Sequence, residues 1–154
     1  MAKAGYTAQT GAAVALVAAT AKTVLSVTAP AQFGADLQSI VIDFDGVTAT
    51  DKPVFVEVCT TTAATAGTST AGTVNQLYGR TITAGFTTAY AYTIEPTVLT
   101  PVWSAMVTPI GGTFAYNWPL GQTPDSAVSQ GFYVRCTAPT SAVNVRVTLT
   151  FERT

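Results

Sequence analysis

Three aspartates crowd the stretch DFDGVTATD, where Asp43, Asp45 and Asp51 surround Gly46. Carboxylates so placed invite a calcium reading. An EF-type loop, however, needs ligands at alternating positions, glycine at the sixth and a closing glutamate. Here glycine comes fourth and no glutamate closes the loop, so the stretch reads as a solvated acidic turn. The chain has no histidine. That removes the commonest general base and metal ligand, and with it Ser-His-Asp and Cys-His catalysis. Glu57, Glu95 and Glu152 are far apart, each on a predicted strand. A glycosidase would need two of them to converge, and nothing in the sequence brings them together. The glycines of IGG (110–112) follow no phosphate-loop spacing. Cys59 and Cys136 are too few for a metal framework; they could meet as a disulfide if their strands are neighbours, and otherwise read as buried thiols acting as small hydrophobes. No catalytic residue, cofactor or metal is expected.

The remaining candidates are aromatic. FAYNWPLGQTPDS (114–126) concentrates rare residues of the chain in one place. Tyr116, Trp118 and Tyr133 could form a platform that stacks sugar rings. At a spacing of two, however, Phe114, Tyr116 and Trp118 share one strand face, and one face of a sandwich strand is normally core. The reading is a buried stripe that ends where Pro119 holds Trp118 extended. The loop that follows, with Leu120, Gln122 and Pro124, would then meet a partner through shape.

The elements that must position these residues are strands. Val143, Val145, Val147, Leu149 and Phe151 alternate with polar residues to the end of the chain, the clearest strand of all. GFYVRCT places Phe132, Val134 and Cys136 on one face. SIVIDFDG sets Ile40, Ile42 and Phe44 together and stops at Asp45-Gly46. KPVFVEV follows with Val54, Val56 and Val58, so the pair predicts a hairpin or a short connection. In VLTPVWSAMVTP, Trp103 is expected to face inward with Leu99, Ala105 and Val107, and Pro101 assigns the strand to an edge. About eight short strands with Gly, Pro and Asp turns predict an all-β fold, a β-sandwich whose most specific form is a jelly roll. Residues 1–20 are expected as an extended N-terminal arm and 21–154 as the single sandwich domain. TTTAATAGTSTAGT (60–73) holds no large side chain and is expected as a long loop lying against a neighbouring subunit.

Composition narrows the setting. Charged residues are 10% of the chain and the net charge is −1, against about 25% charged in an ordinary domain. So few charges give little protection against self-association, which fits a surface covered in an assembly. Seven basic residues scattered from Lys3 to Arg153 form no patch for phosphates or lipid headgroups, so neither nucleic acid nor membrane is an expected partner. No apolar run nears the length of a membrane span. The start, with its Ala-heavy run 12–19 and a polar stretch before it, is expected to remain uncleaved.

The order of segments TAKTVLSVTAP, IVIDFDGVTATDKPVFVEVCTTT, VTPIGGTFAYNWPLG and GFYVRCTAPTSAVNVRVTLTFE resembles small virion proteins of tailed bacteriophages of actinobacterial type. These are capsid decoration (cement) or minor capsid proteins. The resemblance covers most of the chain and is one of pattern, without a motif of assigned roles. It implies a β-sandwich, often trimeric, made in the host cytoplasm and bound to the major capsid protein on the capsid exterior. The resemblance carries over no functional residues. The arm itself gives the expected interface residues Tyr6, Val14 and Leu16, the low-complexity loop Thr65 and Thr68, and the rigid turn Leu120, Gln122 and Pro124. A tail or baseplate structural protein and a carbohydrate-binding module are the other classes that such a chain fits.

Overall fold

Val145, Val147, Leu149 and Phe151 are all buried, on a strand that runs from Asn144 to Arg153. The periodicity that predicts it is thus the periodicity of burial. The computed structural model describes residues 4–48, 52–61, 67–140 and 142–154. Thirteen strands run through them: β1 (Gly5–Gln9), β2 (Val14–Ala15), β3 (Ala21–Thr28), β4 (Ala35–Phe44), β5 (Val54–Thr61), β6 (Thr70–Ala71), β7 (Val74–Tyr78), β8 (Thr87–Tyr90), β9 (Leu99–Val107), β10 (Gly112–Asn117), β11 (Asp125–Ser126), β12 (Gly131–Thr137) and β13 (Asn144–Arg153). No helix occurs among the described residues.

The strands form two antiparallel sheets packed into a β-sandwich. One has the order β10-β4-β13-β1-β7, with β2 beside β13 and β11 beside β4; the other has the order β6-β8-β3-β12-β5-β9. Ile40, Ile42, Val147, Leu149 and Phe151 from the first sheet meet Val56, Val58, Phe132, Val134 and Cys136 from the second in one apolar core. These orders establish a sandwich and do not by themselves establish the two Greek keys of a jelly roll.

The segment expected as an arm is extended, but it belongs to the sheet. β1 pairs with β13 on one side and β7 on the other, so from residue 4 the chain is part of the sandwich. Tyr6, Val14 and Leu16 are buried within their own domain, which corrects their assignment to an outer interface. The reason is geometric. β13 carries apolar residues along its whole length and needs a neighbour on the side away from β4. β1 supplies it, with the Tyr6 ring 5.5 Å from Phe86 and 6.0 Å from Phe151.

Of the hairpin or short connection expected between β4 and β5, the hairpin does not form, because the two strands lie in different sheets. Asp45-Gly46 ends β4 but makes no turn: the Asp45 amide continues the ladder to the Asn144 carbonyl at 3.2 Å, and Gly46 forms a parallel bridge with Ile110. Both sides of β4 are already taken by β13 and β10, so the chain crosses to the opposite layer. Gly46 serves that crossing: a Cβ there would lie 2.3 Å from the Pro109 carbonyl oxygen. The Gly111 amide donates to the Gly46 carbonyl at 3.0 Å, which ties this crossing to the one between β9 and β10.

Pro101 lies on β9, an edge strand, as expected. The inward face of β9 changes partway along it. Val58 pairs with Trp103 and Cys59 with Pro101, so Val102 is an extra residue in a bulge. A bulge reverses the phase of alternation. Trp103, Ala105 and Val107 pack against the core, whereas Leu99 packs on the outer surface against the Cys59, Tyr92 and Tyr133 cluster. Leu99 is therefore not part of Trp103's inward face.

Candidate functional site

The edge strands β9 and β10 end their sheets on the same side of the sandwich, and four aromatic side chains fill the gap between them. Trp103 of β9 lies 6.2 Å from Phe114, 5.4 Å from Tyr116 and 5.7 Å from Trp118. Tyr116 and Trp118 meet edge to face at 5.2 Å and 85°, a favoured aromatic geometry. The local sequence explains the arrangement. Strand alternation points Phe114 and Tyr116 inward, and the Trp118 amide bonds the Gln38 carbonyl at 3.0 Å, which carries the same face one residue past β10. All four rings are half-buried rather than sealed, because no further strand covers the margin.

Beyond Trp118 the chain makes a tight turn. The Gln122 amide donates to the Pro119 carbonyl at 2.9 Å, and Gly121 takes a φ of 81°, a conformation that suits glycine. Pro124 is anchored by the Leu37 amide at 2.8 Å. Held in this way, Leu120 projects with 95% of its surface exposed. Gln122 is exposed as well, whereas Pro124 is half-buried. A shallow depression of about 260 Å³ at the other end of β10 is lined by Met106, Ile110, Gly111 and Phe114, with no titratable side chain.

The other expected site residues are dispersed. Tyr133 sits on the outer face of the second sheet beside Tyr92, with ring centroids 6.4 Å apart, so it is not part of a platform with Tyr116 and Trp118. Thr65 lies outside the described residues. Thr68 is exposed, but its carbonyl is bound to its own chain, accepting from the Thr93 amide at 2.8 Å. Of the acidic turn, Asp43 accepts from Thr113 Oγ1 at 2.5 Å, and Asp45 accepts from the Asn144 side chain at 2.6 Å and its amide at 2.8 Å. These two bonds from Asn144 hold the Asp45 carboxyl below its usual range. Asp51 lies outside the described residues, among which no cluster of metal-binding side chains occurs.

Two of the three glutamates do reach one region, the outer face of the second sheet, where each has a structural partner. Glu57 pairs with Arg135 Nε at 2.9 Å. The Glu95 carboxylate accepts the Thr23 amide at 2.8 and 3.0 Å, pinning the chain after β8 across β3. Glu152 is on the other sheet, bonded to the Tyr78 hydroxyl. Cys59 and Cys136 are free and buried on neighbouring strands, but on opposite faces of the sheet, which prevents a disulfide. Burial pushes the Cys59 thiol up to about 11 and raises Cys136 further. Both thiols should resist alkylation at pH 8 in the native protein and react on unfolding, as followed by mass spectrometry; rapid native labelling would contradict their burial.

The sequence shows the aromatic stripe running into the Leu120 turn, but not that both share one open margin with β9. A signal was present. From Pro96 to Pro124 the chain carries no charged residue, and that stretch comprises β9, the crossing, β10 and the turn. Comparison of the chain with models of known families, with curated proteins and with solved structures gives no match.

Proposed function

We propose that the protein is a non-enzymatic virion structural protein that decorates and stabilises a bacteriophage capsid by binding the major capsid protein shell. The observation that carries this reading is the uncharged margin of the sandwich, where a rigid turn displays Leu120 beside half-exposed aromatic rings. Adhesion of this kind needs no catalytic group. It gains strength from modest apolar contacts repeated by the symmetry of the shell. The low charge and the segment resemblance to phage head proteins support the same reading. Its partners are then the major capsid protein and further copies of itself, with no role for nucleic acid or membrane, and its place is the capsid exterior. The resemblance implies trimers; the margin favours a two-fold pair as the elementary contact.

Mass spectrometry of purified particles should detect the chain, and electron microscopy should place it on the outer shell. Density on the tail or baseplate would move it to that structural class, and absence from particles would overturn the proposal. The carbohydrate-binding alternative loses its platform with the separation of Tyr133 from Trp118.

A further inference from the structure

Each sheet of a sandwich ends in strands whose outer amides and carbonyls have no partner, and proteins usually blunt such edges. Three of the four edges here are blunted. β6 has only two residues. β7 is broken by a bulge: Gly5 pairs with Tyr78 but Tyr6 with Gln76. Gln76 also holds the chain beyond β7 by donating to the Arg80 carbonyl at 2.8 Å. β9 carries Pro101 and the bulge at Val102. β10 has none of these devices. It pairs with β4 in unbroken register from Gly112 to Asn117, and has no strand on its other side among the described residues.

We infer that β10 is the contact through which a second copy of this chain docks, edge to edge and antiparallel, about a two-fold axis at Ala115. The inference stands on the edge itself but uses the margin that carries the capsid reading, so a pair closed over β10 would meet a shell through its other surfaces. An open strand edge is chemically complementary to another strand, since each unpaired amide needs a carbonyl opposite. Self-pairing about Ala115 sets the smallest exposed side chain of the strand against its own copy. Thr113 then lies opposite Asn117, two polar side chains on the outer face. Phe114 lies opposite Tyr116 on the inner face, an aromatic cross-strand pair of the kind that stabilises sheets.

Two further features agree with this axis. Leu120 and Ile110, exposed by 95% and 36%, stand five positions either side of Ala115. The axis brings each toward the other in the second copy. In addition, no charge occurs between Pro96 and Pro124, so the two copies meet without like-charge repulsion. The half-buried Tyr116 and Trp118 rings would be covered by the same contact. The first sheet would become continuous across both molecules.

Light scattering during size exclusion is expected to give twice the 15.9 kDa chain mass. Ala115→Lys places two ammonium groups opposite each other and should raise the dissociation constant at least tenfold while circular dichroism stays native. Should that variant fail to fold, Ala115→Cys decides the matter. Directly opposed residues lie within disulfide reach, so mild oxidation should convert it almost wholly to a covalent dimer. Thr113→Cys, roughly 13 Å from its own copy across the axis, should not link. The buried native thiols leave the introduced cysteine as the reporter. A wild-type monomer or trimer at all concentrations, a dimer unaffected by Ala115→Lys, or Ala115→Cys that stays unlinked would overturn the inference.

Discussion

Phe151→Ala is expected to lower the melting temperature by about 10–15 °C, through a loss of roughly 3–5 kcal/mol. Phe151 is fully buried near the C-terminal end of β13, and its ring meets Phe86 at 4.8 Å and Tyr6 at 6.0 Å. Those rings come from three separate parts of the chain: β1, the connection before β8, and β13. Truncation removes the surface that all of them share, and close-packed neighbours held by sheet hydrogen bonds cannot collapse into the gap. Phe151→Leu should recover most of the loss, since it refills most of the volume. Calorimetry checks both variants. A shift below about 3 °C for Phe151→Ala would mean that the two sheets do not close over this ring.

Arg135→Ala is expected to cost about 2–3 kcal/mol, and restoring a neutral pair should recover much of it. Glu57 is buried on the outer face of the second sheet with Arg135 Nε 2.9 Å from its carboxylate. Breaking a buried pair costs about 3–5 kcal/mol because one charge is left without compensation. The Arg135 side chain is 28% exposed, so water screens part of the loss and the lower figure applies. The double variant Glu57→Met/Arg135→Met removes both charges and keeps apolar bulk. It should be more stable than Arg135→Ala, with a coupling of at least about 1 kcal/mol in a urea-unfolding cycle. Additive losses would show that the two side chains do not depend on each other. The pair matters to the architecture because it sits under the segment that Glu95 and Tyr92 pin to this face, Tyr92 through a 2.7 Å bond to Ser26.

The strand core was legible in the sequence where burial on one face writes a period of two. β13 is the clearest case, and β12 and the second half of β4 follow it. Pro101 correctly placed β9 at an edge, because a proline cannot serve a central ladder. The failures share a cause. Leu99 was assigned by alternation to the side of Trp103, but the bulge at Val102 inserts one residue and reverses the faces. Asp45-Gly46 marks the end of β4 in the sequence, yet the chain makes no turn there, and a strand end does not specify the sheet in which the next strand pairs. Residues 4–20 looked like an arm because Ala, Thr and Gly give weak periodicity. They are held by the apolar length of β13, which lies far along the chain.

The candidate margin follows the same division. Composition alone established a β-rich, weakly charged chain without histidine, and the spacing of Phe114, Tyr116 and Trp118 placed three rings on one strand face. These are local properties, fixed by side-chain chemistry and the two-residue repeat of an extended backbone. Only the tertiary structure decided what the stripe faces. It brings Trp103 across from the other sheet to complete the cluster, leaves β10 without a neighbour beyond it, and moves Tyr133 to a different surface. Strand order and register arise from hydrogen bonds between segments remote in sequence, and no short pattern of residues encodes which edge is left open.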